Sequence, residues 1–473
     1  MSEAKPKSKK REVQDEHGNV YILKNSIGEG GQGVVCSTDH ENTLIKICKR
    51  PKSQRQNWME HIRWLMQQDL DALNIARPVA RIVAPQPGYV MELMDGLISL
   101  QTLMESTEEA LVEKNIQAYL DQGGICRRLK LLSKLARTLA TLHSRGMAFG
   151  DLSPSNVFIS EDPQYSEVWL IDCDNISVNQ RSSFDISPGS SSSVYTPFYG
   201  APEIVRGEAM ISSLSDSWSF AVIAFRLLTA LHPFMGDLVS HGEPELEEEA
   251  LQGRLPWVDH PNDRSNAVSY GLPRDLVLLK PLINLFEKCF NVGRDKQENR
   301  PSLAEWAEKF EHACEWLVDC EECGSTYYYK PVSGQLSCGF CETSPVAGSL
   351  LFLKYYIWDR TILDVEGAKS RDCWIDTGLR QVLNKGSTIT VKTSPPGSNF
   401  HQDARPLYSI ALLESGLVLT PTEHTELYIR VGQSKPQSFI RPFQLEMEDR
   451  KGKNVYVLVG DNDDQKDACL FKW

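Results

Sequence analysis

The sequence has no apolar stretch long enough to span a bilayer. Its longest, Phe220 to Leu231, is short and interrupted by Arg226, so it reads as a buried helix and no membrane role is expected. No apolar segment follows the basic opening residues, which argues against a secretory signal. A surplus of positive charge is also missing: the formal net charge is −13, which argues against a general binder of nucleic acid or of an anionic membrane surface. The 12 cysteines are not spaced as a disulfide framework. Four form two Cys-x2-Cys units and the rest lie scattered in apolar sequence, so a reducing, cytoplasmic setting and a metal site are expected.

What remains is the composition of a soluble globular chain, 41% hydrophobic and 24% charged over 473 residues, enough for several domains. Residues 1–16 carry Lys5, Lys7, Lys9, Lys10 and Arg11 with almost nothing apolar, and read as a flexible basic tail. From Val20 the texture changes to strands around Gly28-Glu29-Gly30-Gly31-Gln32-Gly33-Val34-Val35, a Gly-x-Gly-x-x-Gly-x-Val run. A dinucleotide fold would follow such glycines with a helix, but Val34, Val35 and Cys36 favour a strand. A glycine-rich strand-loop-strand lets backbone amides close over phosphates, although a plain hairpin would use the same residues. The next strand, Thr43-Leu44-Ile45-Lys46-Ile47, puts a lysine in apolar surroundings, where an ammonium needs an anionic partner. Phosphates would serve, as would a carboxylate on the following helix, where Trp58, Ile62 and Leu65 recur at helical spacing and Glu60 is the acidic residue of the first half.

Farther on, Asp151-Leu152-Ser153-Pro154-Ser155-Asn156 places an Asp five residues before an Asn in a Pro-containing loop. Asp172 follows in Leu170-Ile171-Asp172-Cys173-Asp174. Phosphoryl transfer needs this set: one carboxylate to accept a hydroxyl proton, an amide and a second carboxylate to hold magnesium. Together and in order, these motifs resemble the eukaryotic-type (Hanks-type) Ser/Thr protein kinase family over residues 20–312.

The resemblance implies an α+β bilobal protein-kinase fold over 17–312, with a first lobe to about 94 and a second from about 95. It implies ATP and Mg2+ as cofactors and a protein substrate. Gly28, Gly30, Gly33 and Val35 would form the phosphate-covering loop, and Lys46 and Glu60 the ion pair that orients the phosphates. Glu92 and Met94 would meet adenine through their backbone, with Met91 as gatekeeper. Asp151 would be the base, with Asn156 and Asp172 as magnesium ligands. Tyr195 to Glu203 resembles the end of an activation segment, Asp216-Ser217-Trp218-Ser219 the start of a buried central helix, and Arg300 is the candidate partner of Glu203. Departures accompany the matches. Phe149-Gly150 stands in place of His-Arg, Ser153 in place of a lysine, Asp174 in place of a glycine and Leu44 in place of a small residue against adenine. The serines 182, 183, 187 and 190–193 are candidates for autophosphorylation.

Cys320-x2-Cys323 and Cys338-x2-Cys341, 14 residues apart, suit tetrahedral Zn2+ in a small ribbon over 313–345. Residues 346–473 alternate apolar and polar as an all-β domain would, with Pro395-Pro396-Gly397 as a turn; no catalytic constellation occurs there, so an interaction module is expected. The order kinase, zinc ribbon, β domain resembles bacterial kinases of tellurite-resistance systems, which act with a von Willebrand A-domain protein and a metal-dependent phosphatase. Two alternatives stay open: a small-molecule kinase, since a Gly-Asp-Leu-x-Pro-x-Asn loop also occurs there, and a degenerate kinase acting as a binding scaffold.

Overall fold

The computed structural model describes residues 11–29, 33–179, 195–330, 336–393, 404–460 and 464–473. The chain divides into two compact units, Met1–Phe310 and Glu311–Trp473.

The first unit opens with six strands: β1 (Arg11–Asp15), β2 (Val20–Glu29), β3 (Gly33–Thr38), β4 (Thr43–Cys48), β5 (Pro78–Ala84) and β6 (Gly88–Glu92). They close into a barrel in the order β1-β2-β3-β4-β6-β5 around Val13, Tyr21, Ile45, Ala80, Ile82 and Val90. The expectation of a flexible tail through residue 16 is corrected at Arg11–Asp15, which pairs with both β2 and β5. Val13 and Asp15 turn inward, and the Asp15 carboxylate accepts from His17 N, Asn19 N and the Tyr21 hydroxyl, so a polar segment is held by its own turn. The lysine-rich residues before it lie outside the described residues.

Helix α1 (Lys52–Leu65) follows β4 and buries Trp58, Ile62 and Leu65 along one stripe. After β6 come α2 (Leu100–Val112), capped by Ser99, α3 (Ile116–Asp121), capped by Asn115, and α4 (Gly124–Ser144). The stretch that looked too apolar for a surface is the helix Ser213–Thr229, buried almost all round and started by a capping box between Ser212 and Ser215. Its Phe225 packs with Phe286, Phe290 and Trp306 as an aromatic cluster with ring centroids as close as 4.9 Å. Among the described residues, no helix is long and apolar enough to cross a membrane.

The second unit is β-rich. The hairpin Leu317–Asp319/Thr326–Tyr328 leads into a six-stranded and a four-stranded antiparallel sheet. These share one core, in which Leu353, Val455 and Val457 of one sheet meet Ile410, Leu417 and Leu419 of the other, the arrangement of a sandwich. The cysteine segment is continuous with this sandwich: Val382 and Phe352 pack against Val318, Cys320, Tyr327 and Cys338. The expected turn at 395–397 lies outside the described residues.

Candidate active site and metal centre

Lys46 lies in the middle of β4, across from Val35 of β3 and Tyr89 of β6, and is only 2% exposed. Its ammonium reaches two carboxylates far along the chain. One is Asp172; the other is Asp174, whose Oδ2 lies at 2.9 Å. Asp174 also accepts from Trp58 Nε1 at 3.0 Å and from the Tyr89 hydroxyl at 2.7 Å, so both its oxygens are engaged. Burial works against the Lys46 charge, but Asp174 and Asp172 outweigh it and raise the pKa. Two carboxylates facing one cation cannot ionise equally well. Burial and the charge of Asp174 push Asp172 up to about 7, while Asp174, despite its burial, is held near 2 by Lys46 and its hydrogen-bond donors.

The expected Lys46–Glu60 pair is corrected. Glu60 is exposed and bonds with Gln56 of its own helix at 3.3 Å. Trp58 faces inward, and a residue two positions along an α-helix points roughly 200° away.

The loop carrying Asp151 is fixed from below by Asp216. This buried carboxylate accepts from Phe149 N at 2.6 Å, Gly150 N at 2.9 Å and His143 Nε2 at 2.9 Å. The departures at 149 and 150 have local reasons. Phe149 is fully buried, and Gly150 has a φ of +96° with Asn175 O only 2.8 Å from where a Cβ would sit. Asn156 donates its side-chain NH2 to Asp151 O at 2.8 Å and its backbone carbonyl accepts from Ile171 N, so the Asp151 loop and the segment leading to Asp172 are tied together. Thr196 donates its hydroxyl to Asp151 Oδ1 at 2.8 Å. Ser153, where the family has a lysine, is buried with no partner for its hydroxyl among the described residues.

Above the loop, Gly28 pairs with Val35, and Gly33 admits Ile47 O to 2.6 Å of the place a Cβ would take. Gly30 lies outside the described residues, as do the serines at 182–193. Met91 is fully buried beside Leu44, while Glu92 and Met94 are exposed. Leu93 N is pinned to Asn42 O at 3.0 Å just after β6. At the far end of the segment after residue 195, the expected partner of Glu203 is present: Arg300 clamps it with two bonds of 2.7 Å. Asp174, Trp58, Tyr89 and the loop-holding part of Asp216 were missed from sequence. The polar residue where the family has glycine was the available signal for Asp174.

Asn156 spends its side-chain NH2 on Asp151 O, so its side-chain oxygen and the part-exposed carboxylate of Asp172 are the oxygen donors that would suit a hard cation. In the second unit, Cys320, Cys323, Cys338 and Cys341 bring their sulfurs within 4.8 Å of one another. Cys320–Cys341 and Cys323–Cys338 are 3.5 and 3.7 Å apart. Zinc–sulfur bonds of about 2.3 Å give tetrahedral edges of about 3.8 Å, so the four thiols fit such an ion. The Ser325 hydroxyl lies 3.0 Å from Cys323 Sγ and 3.1 Å from Cys338 Sγ. Gly324 takes the left-handed turn after the first pair; after the second it is Glu342, not the glycine at 339, that does so.

A family model described as the protein kinase domain matches residues 21–310. Serine/threonine-protein kinase pkn2 of Myxococcus xanthus is 35% identical over 169 residues, covering 34% of this chain and 18% of that protein. The probable serine/threonine protein kinase IRE4 of Arabidopsis thaliana is 26% identical over 244 residues, 46% of this chain and 22% of that protein. The inhibitor of nuclear factor kappa-B kinase subunit beta of Bos taurus is 26% identical over 285 residues, 55% and 35%. The alignments thus span well under half of these relatives' own lengths. With that match over residues 21–310, more than half of its length, the chain belongs to the protein kinase family.

Proposed function

We propose that the chain is an ATP- and Mg2+-dependent Ser/Thr protein kinase that transfers the γ-phosphoryl group to a protein hydroxyl. The observation that carries this reading is the tie between the Asp151–Asn156 loop and the strand before Asp172, beside Lys46. Asp151 has one oxygen occupied by Thr196, and the other is the acceptor for the substrate hydroxyl's proton. Lys46 orients the α- and β-phosphates; Asn156 and Asp172 hold the metal. Magnesium supplies charge neutralisation along the phosphate chain when bound. Ser153 cannot supply the cation that a lysine would bring there, so more of the developing charge falls to the metal and Lys46.

A protein rather than a small-molecule acceptor is supported by the segment 195–203. It is anchored by Glu203–Arg300 and by Ser219 Oγ donating to Tyr199 O at 2.8 Å, a built platform beside Asp151. Finer readings extend the proposal: autophosphorylation in the serine-rich segment from its density of hydroxyls, zinc in the cysteine site from the spacing and sulfur distances, an interaction role for the sandwich from the lack of a catalytic constellation in its sequence, and, by resemblance of domain order alone, work beside a von Willebrand A-domain protein and a phosphatase in a bacterial stress system. Labelled ATP with the full chain and a generic protein substrate tests the core of the proposal. Wild type incorporates label into protein and Asp151→Ala does not. Equal or absent incorporation in the two would leave a scaffold, and label in an added metabolite alone would favour a small-molecule kinase.

A further inference from the structure

Every lysine that is to hold phosphates from inside a barrel needs a permanent counter-charge, or its ammonium follows the nucleotide in and out at a large desolvation cost. Helix α1 offers none, because Glu60, its one acidic residue, is exposed. Two carboxylates touch Lys46, and they differ in access. The side chain of Asp172 is 27% exposed, that of Asp174 is 0%. Asp172 can therefore turn to a metal, whereas Asp174 is sealed between Lys46, Trp58 and Tyr89 and has no route to a ligand.

We propose that Asp174, held by the Trp58 indole and the Tyr89 hydroxyl, is the positioning residue of Lys46, doing from the 3-10 turn after Asp172 what a helix carboxylate does elsewhere in the family. This rests on the kinase reading above and adds a residue to it. The polarity of the link is reversed: α1 contributes a donor, Trp58 Nε1, and the carboxylate comes from two residues after Asp172. A glycine at 174 could not do this. The extra carboxylate has a geometric purpose, since its four contacts come from three separate elements: β4, α1 and β6.

The test is steady-state transfer from ATP together with titration of a fluorescent ATP analogue plus Mg2+, on the full chain. Asp174→Asn keeps shape and burial but removes the charge. It is expected to lower kcat/KM for ATP by about 10–100-fold, as loss of a supporting partner does. Trp58→Phe keeps an aromatic side chain, though a smaller one, and removes the N–H, with a loss of about fivefold, equal to one hydrogen bond. It serves as the readout if Asp174→Asn fails to fold. In a Lys46→Met background, adding Asp174→Asn changes analogue affinity by less than about twofold, because the two act as one unit. An equal loss with and without Lys46 would make Asp174 merely structural and overturn the assignment. So would unchanged transfer in Asp174→Asn, or a loss in Glu60→Gln. Absence of transfer in the wild type would count against the kinase reading, while the affinity cycle would still judge Asp174.

Discussion

Asp216→Asn is the substitution that most directly separates the scaffold of the catalytic loop from its chemistry. Asp216 is 1% exposed, and its Oδ2 accepts from Phe149 N and His143 Nε2 while Oδ1 accepts from Gly150 N. An asparagine can keep its oxygen toward Phe149 and His143, but its NH2 then faces the Gly150 N–H, donor against donor. One bond to a charged acceptor is lost and a buried donor orphaned, about 1.5–3 kcal/mol, and the two kept bonds weaken to neutral ones, for a total of about 2–4 kcal/mol. Urea denaturation of the full chain measures this. The kinetic consequence follows from position: Gly150 precedes Asp151, and a displacement near 1 Å of a reacting group costs about a hundredfold. We expect kcat to fall by about 10–100-fold with KM for ATP changing less than about threefold, because Lys46 is held by other residues. Wild-type kcat in a stable Asp216→Asn protein, or a loss confined to KM, would refute the reasoning.

Other outcomes follow from the same geometry. Arg300→Met leaves the buried carboxylate of Glu203 without its clamp and should cost about 3–5 kcal/mol; Glu203→Gln combined with it should recover part of that in a double-mutant cycle read by denaturation. His232 donates Nε2–H to Phe198 O and accepts at Nδ1 from Phe234 N, which fixes the neutral ring, and burial pushes its pKa down to about 4. Its folded value lies below the unfolded one, so the stability it contributes is present above about 6.5 and is lost as pH falls toward 4. His232→Gln should flatten the stability profile in that window. Zinc added to metal-free protein should raise the melting temperature in a way that Cys338→Ser abolishes, with metal released to a chelator more readily as pH falls, because protons compete with the ion for the four thiolates.

The parts of the site that were legible in the sequence are those whose chemistry lies in short windows. Lys46 announced itself as a charge in an apolar strand, Asp151 and Asn156 as a spaced pair in one loop, and the cysteines as two knuckles. Glu203–Arg300 was readable across the chain because the family resemblance places both residues in its motifs and a buried carboxylate needs a cation. The strand Arg11–Asp15 was not readable, since its polar residues show no apolar period and its pairing depends on β2 and β5. Nor was the joining of the cysteine segment to the sandwich, which rests on Val382 and Phe352, far along the chain.

What the sequence alone determined is therefore the inventory: which residue types exist to bind phosphate, take a proton and hold a metal, and in what order they come. The tertiary structure decided who partners whom. Whether Glu60 or another carboxylate meets Lys46 depends on the rotation of α1 about its axis, set by the burial of Trp58, Ile62 and Leu65. That rotation turns Glu60 to solvent and leaves Lys46 to Asp172 and Asp174, the second of which is itself sealed from water.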